Sequence, residues 1–124
     1  MPIRTRTLVA VLMAALTLAA CSGPEPEVRA RTATFEVRLD DYLLRPQNLR
    51  VPKGERLTVK VTNHGRLGHT FRIRGTTRNV LAITTIKPGE SRTRSFRLAP
   101  GTYRMYCVLS NHEELGMHAT LRVG

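Results

Sequence analysis

Apolar and polar residues alternate with a period of two along most of the chain beyond residue 32. The alternation is clearest in the segments 34–39 and 57–61, where every second residue is Phe, Val or Leu. A period of two is typical of a strand with one buried face. Weaker versions of the pattern predict further strands at 47–51, 71–73, 91–98, 102–107 and 119–123, while 80–86 fits a strand or a helical turn.

Proline and glycine separate these segments at short intervals. The turn signals are Pro52–Glu55, Lys87–Glu90 and Ala99–Gly101, and two glycines fall in the segment 63–68. Such punctuation between short alternating segments is typical of antiparallel strands joined by tight turns. The sequence therefore predicts an all-β domain of seven or eight strands, built as a sandwich or a small barrel.

The first 20 residues have a different character. Arg4 and Arg6 precede a largely apolar run from Leu8 to Ala20, which is shorter than the roughly 20 residues that a spanning helix needs. The run ends at Cys21 after small residues and resembles a bacterial lipobox. We therefore expect a lipoprotein signal peptide at 1–20 and lipid on Cys21. An ordinary signal peptide or a single spanning anchor are the alternatives.

This interpretation divides the chain into three parts. Residues 21–31 contain two prolines and two glutamates, and we expect them to form a flexible tether. Residues 32–124 form the predicted domain. The mature protein would be exported and lipid-anchored to the cell membrane, facing the periplasm or the cell exterior. Lipid on Cys21 would leave Cys107 as the one free thiol, which in an oxidising compartment favours a bound metal.

The chain is strongly basic, with 20 Lys and Arg against 9 Asp and Glu and a formal net charge of +11. This charge favours an acidic docking surface on a protein partner, or anionic lipid headgroups. Nucleic acid is the usual alternative for a basic chain. The export signal and the lack of a helix-turn-helix or zinc-finger pattern argue against it.

Potential metal ligands recur near the C-terminus. Cys107, His112 and Met117 are spaced five residues apart, and His69 lies far upstream in a loop. Each residue alone has a simpler interpretation: a loop histidine, a buried thiol or a core methionine. One thiolate, two imidazoles and a weak thioether are together the donor set of a blue-copper electron-transfer site. Structural zinc is less suited, because a thioether is a poor fourth zinc ligand.

These motifs resemble the cupredoxins, the small blue-copper proteins of the plastocyanin and azurin type. The resemblance extends from about Thr34 to Gly124 and includes the Pro-Gly lead-in to the cysteine strand. It implies a Greek-key β-sandwich holding one type 1 copper, with His69, Cys107 and His112 as equatorial ligands and Met117 as the axial one. It also implies that Thr70 ties the two ligand segments together.

Two departures from the family pattern concern partner docking. Four residues separate Cys107 from His112, as in azurin-like rather than plastocyanin-like members. Glu113 and Glu114 stand where many members are apolar. The remaining histidines, His64 and His118, are expected to face solvent, with a secondary metal contact as the alternative for His64.

The sequence thus predicts a monomeric, non-enzymatic electron carrier that serves protein redox partners. A copper chaperone or copper-sequestering lipoprotein is the alternative. That class usually relies on surface sites rich in methionine, and removal of the signal peptide would leave only Met105 and Met117.

Overall fold

The computed structural model describes residues 23–54 and 56–124. The predicted signal peptide and Cys21 lie outside these residues. Ten strands are present within them: β1 Val28–Arg29, β2 Thr34–Asp40, β3 Leu43–Arg45, β4 Asn48–Val51, β5 Leu57–Asn63, β6 His69–Arg74, β7 Asn79–Ile86, β8 Ser91–Phe96, β9 Gly101–Tyr106 and β10 His118–Val123.

The strands form two sheets that enclose one core. One sheet has the order β1-β4-β10-β9-β6-β7 and the other has the order β3-β2-β5-β8. The predicted all-β sandwich is therefore confirmed. The strand count exceeds the predicted seven or eight because β1 and β3, of two and three residues, are too short to show a period. Within the described ranges, no helix is long and apolar enough to cross a bilayer.

The alternation of apolar and polar residues in the sequence corresponds to an alternation of buried and outward-facing side chains in the strands. In β5 the apolar residues Leu57, Val59 and Val61 are fully buried, and the polar residues between them face outward. Strand β2 runs parallel to β5 and has the same alternation. A side chain of this size contributes about 1.5–3 kcal/mol when it is moved from water into the core. Burial of these faces explains why so basic a chain forms a compact sandwich.

Strand pairing brings distant parts of the sequence to one end of the sandwich. Strands β9 and β10 form an antiparallel pair in which Tyr106 lies opposite His118. Strand β6 pairs with β9 on its other side and places Arg72 opposite Tyr106. Since β6 begins at His69, its first residues reach the same end as the segment between Tyr106 and His118.

The predicted flexible tether at 21–31 requires a correction. Val28 and Arg29 pair with Leu49 and Arg50 of β4, so they extend the larger sheet. Glu27 accepts a hydrogen bond from Arg50 at 2.9 Å and also lies within ion-pair distance of Arg29 and Arg122. The sequence pattern did not predict this strand, because prolines and charged residues surround it. The part of the expected tether nearest the domain therefore pairs with the domain.

The carboxylate of Glu27 fastens β1 to the sheet in a pH-dependent way. Its pKa lies below its ordinary value, chiefly because the Arg50 side chain donates a hydrogen bond to it. A lowered folded-state pKa stabilises the attached state above the ordinary glutamate pKa, and this stabilisation is lost as the pH falls through the lowered value.

We expect Glu27→Gln to speed exchange of the Ala30 amide, which donates to the Arg50 carbonyl at 2.9 Å. The difference in exchange rate between the variant and the wild type should be largest at neutral pH. It should disappear in acid, where Glu27 of the wild type is itself protonated. Hydrogen exchange followed by NMR measures it. Glu25→Gln is the matched control, because Glu25 reaches Arg45 only at 3.5 Å. Equal effects of the two substitutions would contradict the assignment.

Candidate metal centre

Three potential ligands converge at the end of the sandwich where β6 begins and β9 ends. His69 is the first residue of β6, Cys107 follows β9 directly, and His112 lies in the segment 107–117, which we call the ligand loop. One donor atom from each of the three residues lies within 4.8 Å of the other two. The pattern recognised in the sequence therefore corresponds to one cluster in space.

The separations of the donor atoms fit a single ion. Nδ1 of His69 lies 3.2 Å from Nδ1 of His112, and Sγ of Cys107 lies 3.6 Å from the latter. Metal–nitrogen and metal–sulfur bonds of about 2.0–2.1 and 2.3 Å, as at zinc, allow at most about 4.2 Å between two nitrogens and about 4.4 Å between nitrogen and sulfur. Both observed distances fall below these limits.

The cluster is closed to water on nearly every side. His69, Cys107 and Met117 have no exposed surface, and His112 is 9% exposed. Backbone hydrogen bonds hold Met117 beside the other ligands: its amide donates to the His112 carbonyl and its carbonyl accepts from the Cys107 amide. All four residues expected as ligands are therefore packed at this end of the core.

The ligand loop is rigid because it is hydrogen-bonded to itself. The His112 amide donates to the Leu109 carbonyl, the Leu115 amide to the Asn111 carbonyl, and the Gly116 amide to the Glu113 carbonyl. These turns fold residues 109–116 into a compact cap between β9 and β10. The position of His112 is therefore set by backbone geometry.

Glu113 anchors this cap to the larger sheet. Its Oε1 accepts hydrogen bonds from Arg104 of β9 at 2.6 Å and from Arg74 of β6 at 3.0 Å. Arg74 also lies over the ring of Tyr106, 4.3 Å from its centroid. In the sequence, Glu113 and Glu114 are both departures from the family pattern that bear on partner docking. Glu113 instead forms ion pairs within the domain, and Glu114 is exposed.

Thr70 connects the two ligand-bearing segments. Its amide and its hydroxyl point at Sγ of Cys107, at 3.4 and 3.5 Å, and the Val108 amide donates to the same hydroxyl at 3.0 Å. This is the tie that the resemblance implied for Thr70. Donors aimed at a metal-bound sulfur tune the metal and hold its ligand.

Asp41 is a residue of the site that the sequence did not reveal. Its Oδ1 lies 3.0 Å from Nε2 of His69, on the side of the ring away from the donor cluster. Its pKa lies below its ordinary value, chiefly because the Arg66 amide donates to the carboxylate and next because the Leu67 amide does. In the sequence Asp41 marks only a turn, because its partner is 28 residues away.

Tyr42 covers the outer edge of His112. The two rings meet edge to face with centroids 5.3 Å apart, and Tyr42 is 41% exposed. Burial lowers the pKa of His112, with a further contribution from His69 that the charge of Asp41 partly opposes. A lowered pKa favours the neutral imidazole, which is the form that binds metal.

The two other histidines lie outside the cluster. His64 and His118 are both exposed, as the sequence predicted. Neither belongs to a group of metal-binding side chains within the part of the chain that the structure describes.

Comparisons with known proteins agree with this geometry. A family model described as a cupredoxin-like domain matches residues 8–121. No curated protein matches the chain by sequence. Reduced auracyanin from the photosynthetic bacterium Roseiflexus castenholzii has a TM-score of 0.68 and 23% identity, covering 75% of this chain and 98% of its own. An azurin from Methylomonas sp. strain J has a TM-score of 0.64 and 18% identity, and the match covers 77% of this chain and 99% of the azurin chain.

A multicopper oxidase has the same fold over part of its length, with a TM-score of 0.57 and 21% identity. The match covers 73% of this chain but 41% of the oxidase chain. At these identities the structural likenesses establish the fold. With the family match and the donor set, they show that His69, Cys107, His112 and Met117 fit a single type 1 copper.

The ligand loop depends on a glycine at position 116. Gly116 has a φ of +126°, and a Cβ built on it would lie 2.8 Å from the Tyr42 carbonyl oxygen. We expect Gly116→Ala to lower the free energy of unfolding by about 2–4 kcal/mol, since backbone strain and overpacking add. Urea unfolding of the metal-free protein measures the loss.

Gly89→Ala is the matched control. Gly89 also has a positive φ, +82°, but nothing lies within 4 Å of its Cβ position. It should lose about 1–2 kcal/mol from backbone strain alone. Equal losses at the two positions would show that the contact between Gly116 and Tyr42 does not constrain the loop.

Proposed function

Because the chain belongs to the family of cupredoxin-like domains, we propose that it uses one type 1 copper to carry single electrons between protein redox partners at the cell envelope. The observation that carries the proposal is the convergence of the His69, Cys107 and His112 donor atoms in a pocket closed to water. Copper held by such donors supplies a one-electron couple.

The protein contributes fixed ligand positions. His69 and Cys107 are attached to paired strands, and His112 is held by the turns of the ligand loop. The Thr70 amide and hydroxyl donate toward the sulfur, and the buried side chain of Met117 excludes water. A site that keeps its shape in both oxidation states needs little reorganisation when the electron moves, so electron transfer meets a low barrier.

Closure of the site argues for a carrier rather than an enzyme. A catalytic metal keeps a position open for water or substrate. Here three of the four ligands have no exposed surface, and Tyr42 covers the fourth. A donor protein that releases its copper on encounter would also benefit from an accessible site. The alternative of a copper chaperone therefore has less support from this geometry.

A partner can approach the ligands most closely at His112. Its 9% exposure is the largest among the four, and the exposed apolar side chains of Tyr42 and Leu115 lie on the segments beside it. A partner with an apolar contact surface and an acidic rim would fit this end and the net positive charge of the chain.

The docked N-terminal segment supports attachment near the same end. The Asn48 side chain reaches the Glu25 carbonyl at 3.5 Å, and Pro24 shares a cleft with His118, the residue after Met117. Cys21 precedes Pro24 by three residues, which span at most about 11 Å. We propose that lipid on Cys21 holds the copper end close to the membrane surface.

We expect the domain from residue 23 onward to bind one Cu(II) and to become intensely blue. Cys107→Ser should abolish the colour, because the thiolate is the ligand that produces the blue-copper character. Absorption spectroscopy of the copper-loaded proteins measures it. The exposed His118→Ala is the control and should keep the colour. A blue Cys107→Ser protein would refute the ligand assignment.

Repeated reduction and reoxidation in the presence of a Cu(I) chelator of moderate affinity separates a carrier from a chaperone. A carrier should retain its copper through many cycles, because the closed ligand set holds both oxidation states. Copper content after each cycle is the readout. Loss of copper to the chelator at the first reduction would favour delivery or storage instead.

Lipidation has its own test. Intact-mass analysis of the mature protein from the membrane fraction should show added lipid on the wild type and on Cys107→Ser, but not on Cys21→Ala. Several acyl chains anchor a protein firmly, so Cys21→Ala should leave the membrane or stay unprocessed. An unmodified wild-type mass would disprove the anchor without affecting the copper assignment.

A further inference from the structure

We infer that Asp41 is a positioning residue for the copper ligand His69, fixing the imidazole so that Nδ1 presents a lone pair to the metal while Nε2 carries the proton. The inference rests on the proposed copper function and extends it to a residue outside the ligand set. It concerns which ring nitrogen binds and how the carboxylate biases the two oxidation states.

The contact between the two side chains settles the direction of the hydrogen bond. An ionised carboxylate can only accept, so Nε2 of His69 donates to Oδ1 of Asp41 across 3.0 Å. A neutral imidazole has one proton, which leaves Nδ1 as a lone pair. Nδ1 is the atom that lies 3.2 Å from Nδ1 of His112. Asp41 therefore selects the tautomer that the donor cluster requires.

The carboxylate is itself held by the loop that leads to His69. The Arg66 amide donates to Oδ1 and Oδ2 at 3.0 and 2.9 Å, and the Leu67 amide donates to Oδ1 at 3.1 Å. Three groups, two amides and one imidazole, thus point at one side chain. This arrangement fixes the loop and the ring together.

Gly65 shows how closely the loop wraps around this carboxylate. A Cβ at position 65 would lie 2.2 Å from Oδ1 of Asp41 and 3.0 Å from the Asp41 amide nitrogen. The Asn63 side chain holds this segment from the other side, since its Oδ1 accepts from the Gly65 amide at 2.8 Å. The backbone of this loop therefore passes close enough to Asp41 for the Arg66 and Leu67 amides to donate to its carboxylate.

The charge of Asp41 acts in the same direction as its hydrogen bond. A carboxylate bonded to Nε2–H makes the opposite nitrogen a stronger donor. Its negative charge also stabilises the more positive oxidation state. Both effects favour Cu(II) over Cu(I). The 29% exposure of the Asp41 side chain allows solvent to screen part of the Coulomb effect.

The reduction potential tests the effect of the charge. Asp41→Asn keeps the shape and removes the charge, and it should shift the equilibrium toward Cu(I) by about three- to tenfold. A tenfold shift corresponds to about 59 mV for one electron. Redox titration of the copper-loaded protein measures it, and the blue colour reports that the ligand set is intact.

Asp40→Asn is the matched control. Asp40 is the adjacent carboxylate, but it accepts from Arg38 at 3.0 and 3.1 Å. Its loss should change the equilibrium less than twofold, because the charge has a partner and no contact with a ligand. Equal shifts in Asp40→Asn and Asp41→Asn, or no shift in either, would overturn the inference.

A second measurement does not depend on any variant. Two-bond ¹H–¹⁵N correlations report the tautomer of each histidine in the metal-free wild type, at about pH 8 where an ordinary imidazole is neutral. We expect His69 to be the Nε2–H tautomer, and Asp41→Ala to produce a mixture and bind copper about 10–100-fold more weakly. An Nδ1–H tautomer of His69 in the wild type would overturn the inference directly, whatever the variants do.

Discussion

Two imidazole nitrogens and a thiol sulfur face one another at the closed end of the sandwich, and the surrounding structure depends on holding them there. Nδ1 of His69 and Nδ1 of His112 are 3.2 Å apart, and at most one proton can lie between them. The Thr70 amide and hydroxyl donate toward the sulfur, so all three donor atoms have partners within the protein. The same three atoms also lie close enough together to bind one ion.

Strand pairing provides the first part of this arrangement. Strands β6 and β9 are neighbours in the larger sheet, so His69 and Cys107 approach through backbone register rather than side-chain contacts. The Thr70 hydroxyl then spans the gap between them, donating toward the sulfur and accepting from the Val108 amide. The third donor comes from a loop whose turns satisfy their own backbone groups. The sheet and the loop therefore both hold the donor atoms in place.

The sequence predicted those parts of this protein that depend on local patterns. Period-two burial reveals long strands such as β5, and the spacing of Cys107, His112 and Met117 reveals the ligand loop, because the information lies within a few residues. Strands β1 and β3 were not predicted, because two or three residues cannot show a period. Since β1 lies within the expected tether, the pairing of that segment with the domain was not predicted either.

The sequence also could not predict the roles of residues whose partners are distant along the chain. Asp41 meets His69 across 28 positions, and Glu113 meets Arg74 across 39. In the sequence Asp41 marks a turn after a strand, and Glu113 adjoins the expected ligand His112, so neither position indicates its partner. Their roles follow from strand order within a sheet for Glu113 and from the packing of the two sheets for Asp41, since β2 and β6 belong to different sheets. An acidic residue directly after one strand and a histidine opening another give no signal until those strands are known to end at the same side.

The proposed electron transfer requires the copper end to be closed to water and yet accessible to a partner, and different side chains would meet these two requirements. Water is excluded because His69, Cys107 and Met117 have no exposed surface, while His112 keeps 9% of its surface exposed beneath the edge of Tyr42. The acidic residue that follows this histidine in the sequence, Glu113, forms ion pairs with Arg74 and Arg104. These ion pairs use its charge to hold the ligand loop. Exposed side chains of Tyr42 and Leu115 then lie on the segments beside His112, so under the proposed electron transfer this is where a partner would come nearest to a ligand.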